Sequence, residues 1–160
     1  MTYEALQEMG LEERAAETQE VVWLMMRAER DLVTARLLQD KDEEWSFAAA
    51  YQAMARSGRA LIFSEGYRPK GSRSRDTHKT VVTASGVILG EKHKSLINKF
   101  DRMRRKYQNF AVETGSMVSR YEAGQAIKDA EEFFGLVASR LKEKYSQMSL
   151  LNDVSQLVSR

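Results

Sequence analysis

Cysteine is absent from the 160-residue chain, which excludes disulfides, thiolate catalysis and cysteine-ligated metals and fits a reducing compartment. Proline occurs once, at Pro69, and glycine only nine times. With so few residues that break helices, long helices are the expected product. Histidine is scarce too: His78 and His93 are the only two, so any chemistry that needs a proton carrier near neutral pH has two places to find one. No apolar run approaches the ~20 residues of a membrane span. The opening MTYEALQEMGLEERAAE is charged and has no apolar signal core, so the expected location is the cytoplasm.

Hydrophobic residues make up 42% of the chain and charged residues 30%, a balance that can fill a core and excludes a disordered chain. One domain spanning residues 1–160 is expected, since no linker divides it and no internal repeat appears. The net charge of +2 hides an uneven placement. Between Arg68 and Lys106 twelve Lys or Arg face three acids, Asp76, Glu91 and Asp101, a net of +9 that leaves −7 on the remainder. A basic middle on an acidic frame points to an anionic partner, unless these cations are simply the solvated faces of helices.

Apolar spacing gives four or five helical segments. The first runs from about Glu12 to Gln39, with a stripe of Leu24, Ala28, Leu32, Ala35 and Leu38. The second, about Glu43 to Glu65, carries Phe47, Ala50, Tyr51, Met54, Leu61 and Ile62; Ala53, Ser57 and Gly58 beside them would let a neighbour approach closely. Gly66 is a natural stop. The connector GYRPKGSRSRD follows, with cations at Arg68, Lys70, Arg73 and Arg75. A third helix opens near Asp76 or Thr77 and breaks at Gly90, and a further one, or a bent continuation, holds Leu96, Ile97, Phe100, Met103 and Tyr107. Ser119 and Glu122 form a capping-box signal at the start of a helix that reaches about Tyr145. The tail repeats Leu151, Val154 and Leu157 or Val158, a candidate short terminal helix. No strand pattern competes. The expected fold is all-α: an antiparallel up-and-down four-helix bundle with an additional short C-terminal helix.

The order of these pieces resembles a known family. Asp31-Leu32, Ala35, Leu38, Ala49-Ala50-Tyr51-Gln52-Ala53, Arg59-Ala60-Leu61, Gly66-Tyr67, Thr77-His78-Lys79, Phe100-Asp101-Arg102-Met103-Arg104-Arg105-Lys106 and the closing SRYEAGQAIKDAEEFFGLVASRL are similar to HEPN domains (higher eukaryotes and prokaryotes nucleotide-binding), over about residues 20–145. The resemblance implies a helical bundle, usually a homodimer whose cleft takes RNA. In many members that cleft performs metal-independent RNA cleavage. That activity resides in an arginine followed about four to six positions later by a histidine. Other members bind nucleotides, or serve as partners of nucleotidyltransferase-like proteins in toxin–antitoxin pairs.

Cutting RNA without a metal needs a proton carrier near the reacting oxygen and a cation on the phosphate. In FDRMRRKYQNFAVE, from Phe100 to Glu113, the cations are present and the histidine is missing. Aligned to the family motif, Tyr107 stands where the arginine would be and Val112 near the histidine; a shift of one residue gives Gln108 and Glu113. Either register leaves the pair broken. Arg104 and Arg105 are candidates for holding phosphate, with Gln108 and Asn109 as hydrogen-bonding neighbours. Arg105 and Glu113 are the weak candidates for residual catalysis, an exposed Glu being too acidic for efficient proton shuttling. Met103 and Tyr107 would pack inside the bundle, and three consecutive cations cannot share one helix face.

His78, with Arg73, Arg75 and Lys79, is a candidate anion seat at a helix start; the plainer reading makes it a partly exposed capping residue. His93 lies in a charge run. Trp23 and Trp45 could stack on bases, or belong to a core or interface. The connector does not match a phosphate-loop pattern. Asp40, Asp42, Glu43 and Glu44 cluster ahead of a helix, where acids suit the dipole, so neither metal nor cofactor is expected. The leading expectation is a homodimeric domain that binds a nucleotide or RNA without efficient catalysis. The alternatives are a toxin-like endoribonuclease with a displaced site, and an adaptor or antidote partner of a nucleotidyltransferase-like protein.

Overall fold

The computed structural model describes residues 3–71, 74–112 and 118–145. In chain order the elements are α1 (Tyr3–Glu8), β1 (Leu11–Glu13), α2 (Thr18–Leu38), α3 (Glu43–Ser64), β2 (Tyr67–Pro69), α4 (Ser74–Leu89), a 3-10 turn (Glu91–His93), α5 (Lys94–Val112) and α6 (Arg120–Lys142). The expected C-terminal helix falls on residues 146–160, outside the described residues.

Helices α2, α3, α5 and α6 form the up-and-down bundle. Side-chain pairs give the directions. Arg56 on α3 meets Asp31 on α2, and Ser46 Oγ donates to the Ala35 carbonyl at 2.7 Å, so α2 and α3 run antiparallel. Arg36 on α2 pairs with Glu131, and Asp40 just beyond α2 with Arg120, which sets α6 antiparallel to α2. Lys99 lies 3.6 Å from Asp129 and Lys106 pairs with Glu122, so α5 opposes α6. Helix α4 lies in the α3–α5 connection and packs against α3 and α5.

The stripe expected on α2 is buried: Leu24, Ala28, Leu32 and Ala35, joined by Val21 and Met25. On α3 the small residues do what their size allows. A Cβ on Gly58 would come within 2.7 Å of Val81 and 3.0 Å of Ser85, so α4 crosses there on bare backbone. Asp42 caps α3 by accepting from the Trp45 N–H at 3.0 Å. The capping box of α6 is formed, with the Glu122 N–H donating to Ser119 Oγ at 3.0 Å and Glu122 reaching back to the Ser119 N–H. Gly90 ends α4 at φ +85°, a left-handed conformation that suits glycine.

Two expectations are corrected. The first helix begins at Thr18, and residues 11–13 are a strand instead. It pairs antiparallel with β2, Leu11 opposite Pro69, Glu12 opposite Arg68 and Glu13 opposite Tyr67. Gly10 and Gly66, both at positive φ, sit at corners of this ribbon, and bonds from Lys70 N to Gly10 O (2.7 Å) and Arg14 N to Gly66 O (2.8 Å) extend it. Leu11 is the anchor, fully buried in the common core. Of the readings open for the tryptophans, the core is excluded, since Trp23 is 61% and Trp45 63% exposed. No helix among the described residues is long and apolar enough to cross a membrane.

Candidate functional site

Three rings from three elements stack at the junction of α3, α4 and α5. Tyr51 of α3 lies 4.6 Å from Tyr107 of α5 and 5.5 Å from His78 of α4, centroid to centroid. Tyr51 is fully buried, and its hydroxyl is 2.6 Å from His78 Nδ1. Gln52 Nε2 donates to the Tyr107 hydroxyl at 2.9 Å. His78 is partly exposed, as the plainer reading has it, but it lies inside α4 and is hydrogen-bonded to Tyr51 instead of capping the helix.

Burial pushes the Tyr51 phenol well above its ordinary range, so it keeps its proton. Burial, with the charges of Arg59 and Arg104 nearby, lowers the His78 pKa and favours the neutral ring. The assignment consistent with both is a phenol O–H donating to Nδ1, which leaves the imidazole proton on Nε2. His78 then presents a neutral donor to its surroundings, not a free base.

The cations of α5 diverge, as the helical period requires. Arg104 is buried; its Nε donates to Asp101 Oδ1 at 2.9 Å and its Nη1 to Gln108 Oε1 at 3.1 Å. Arg105 is exposed and shares the same carboxylate, 3.3 Å from Asp101 Oδ2. Lys106 turns to Glu122. Asn109 is exposed, and Gln108 is half-buried against Arg104. Glu113 and Arg73 lie outside the described residues, as does the side chain of Arg75. Arg104 and Gln108 are thus brought together, while Arg105 and Asn109 face outward.

The residue that the sequence reading passed over on this helix is Arg102. With Lys94, Asn98 and Arg105 it lines a surface hollow of about 540 Å³. The spacing of 94, 98, 102 and 105 follows one helix face, so the signal was present. Arg59 was also passed over. It lines two hollows together with His78: one of about 430 Å³ between α2, the end of α3, β2 and α4, and a water-sized one of about 40 Å³ beside Gln52 and Arg56. Its signal in the sequence is weak, an arginine one turn after another on a largely apolar helix. No group of three or more His, Asp or Glu among the described residues could hold a metal.

No curated protein and no solved structure matches the chain. The family model described as HEPN domain does match, over residues 21–143, a span that runs from the first buried turn of α2 to the end of α6. With most of its length inside that match, and a helical bundle to go with it, the chain belongs to the HEPN domain family.

Proposed function

We propose that this HEPN domain is a homodimer that binds RNA or a nucleotide and does not cleave it efficiently. The observation that carries the reading is the α5 face of Lys94, Asn98, Arg102 and Arg105 around one hollow. Guanidinium groups there suit phosphate oxygens, and the amide of Asn98 adds a neutral hydrogen-bonding group. Asp101 beside them neutralises part of the charge, which favours modest, salt-sensitive affinity. No histidine follows the basic run, and His78, which stacks beside Tyr107, has Nδ1 occupied by Tyr51.

The test is binding of a single-stranded oligoribonucleotide at low and moderate salt. Affinity should fall steeply with salt, and Arg102→Ala with Arg105→Ala should remove about 1.4 from the slope of log K against log salt, at ~0.7 per phosphate contact. Unchanged affinity and slope in that double variant would sink the reading. A second reading, a metal-independent endoribonuclease, draws on His78 standing beside Tyr107, 6.2 Å ring to ring. It requires cleavage that survives chelation and disappears in His78→Ala.

A further inference from the structure

The larger hollow beside His78 belongs to a different face from that of Lys94 and Arg102, and its walls are of two kinds. One is cationic or donating. Arg59 comes from α3, Arg68 from β2 and His78 from α4. Arg68 is fixed in place: its guanidinium carbon sits 4.8 Å from the centre of the Phe63 ring, and Nη2 donates to both oxygens of Glu20, at 3.0 and 3.2 Å. Glu20 lines the hollow as well and offsets the Arg68 charge, while the Arg68 Nε is buried in the wall without an acceptor. Arg59 pairs with no carboxylate among the described residues, whereas its neighbour Arg56 is neutralised by Asp31. Partial desolvation against the protein, followed by the Arg56 charge, lowers the Arg59 pKa. The apolar part of the lining comes from Trp23, Leu24, Phe63 and Pro69. A tryptophan 61% exposed on a well-packed helix offers ring surface to something other than the core. The volume of about 430 Å³ lies in the range of small-molecule sites.

We infer that this hollow binds an aromatic ring carrying a phosphate: one nucleotide, its base laid on Trp23 and its phosphate accepting from Arg59, Arg68 and His78. The ribbon makes the site. Pairing with β1 holds the strand that carries Arg68 and Pro69. The neutral His78 donor adds a hydrogen bond without a further charge, so the ligand needs only the one or two negative charges of a phosphate. The inference rests on the reading that the domain binds nucleotides or RNA, and it narrows that reading to a single nucleotide at a place separate from α5. Two sources carry this chemistry: a free nucleoside 5′-monophosphate, and the 5′-phosphorylated end of an RNA strand.

The experiment uses the full chain with Trp45→Phe, which leaves Trp23 as the fluorescent reporter. Titration with AMP should quench Trp23, while adenosine and inorganic phosphate each bind at least tenfold more weakly. Trp23→Ala and Arg59→Ala, both at exposed positions, should each weaken AMP binding about tenfold by calorimetry and leave the thermal unfolding temperature unchanged. If a 5′-phosphorylated oligoribonucleotide binds and AMP does not, the ligand is the strand end, and removing its phosphate should cost tenfold or more. The inference falls if neither probe responds to Trp23→Ala or Arg59→Ala, or if inorganic phosphate binds as well as AMP. RNA binding that is lost with Arg102→Ala and Arg105→Ala but untouched by Trp23→Ala and Arg59→Ala, with no AMP affinity, would defeat this site and spare the α5 reading. AMP binding that persists in the α5 double variant supports it.

Discussion

A carboxyl group taken out of water without a cation prefers to keep its proton, and Glu29 on α2 is such a group. It is 4% exposed, Oε1 has no hydrogen-bond partner, and burial alone raises its pKa from 4.5 to about 7. The sign for stability follows from linkage. Below pH 4.5 both folded and unfolded chains hold the proton, and the full stability is present. As pH rises from 4.5 to 7 the unfolded chain releases it first, so stability falls, by about 3 kcal/mol in all at ~1.4 kcal/mol per pH unit. Above pH 7 the loss levels off. Unfolding by urea at pH 5 and pH 8 should show most of this difference in the natural chain and little of it in Glu29→Gln. Nothing in the sequence marks Glu29 beyond a charged residue between Ala28 and Leu32, because its isolation depends on what other helices bring to it. The same limit applied to His78. Its position at the opening of a helix was legible, but the stack with Tyr51 and Tyr107 joins positions 27 and 29 residues away and needed the fold.

Among the elements, the long helices were legible because their apolar residues repeat at helical spacing and their caps are local. Ser119 with Glu122 needed only three residues of context, and so did Gly90. The β1–β2 ribbon was not legible. Three residues are too few for alternation to register, and Leu11 with two acids after it reads as well as the front of a helix. The division of labour between α4 and α5 was also hidden, since both are amphipathic and only packing decides which joins the bundle. The crossing of α4 over α3 carries its own prediction. Gly58→Ala would improve helix propensity on α3, but the added Cβ meets Val81 and Ser85. Overpacking of this kind should destabilise the fold by about 1–3 kcal/mol, read as a lower urea midpoint. A neutral or stabilising result would show that α4 yields at this contact.

At the scale of the whole molecule, the basic middle resolves into two separate settings. Lys94, Arg102 and Arg105 line one hollow on α5, and Arg68 lines another on β2, where Arg59 of α3 joins it from outside the segment. Arg104, in the middle of the run that drew attention in the sequence, is spent inside the fold on Asp101 and Gln108. The proposed homodimer predicts a mass near twice the 18.3 kDa of one chain in sedimentation at micromolar concentration; the mass of a single chain would overturn it. The pairing of β1 with β2 has a practical consequence for anyone preparing a shortened protein. The family match opens at residue 21, and a version cut to that limit keeps all four bundle helices nearly whole. It also discards Leu11, the strand opposite Pro69, and Glu20, the carboxylate that steadies Arg68. Such a fragment would look healthy by circular dichroism and yet be deaf to the nucleotide proposed for the hollow beside Trp23.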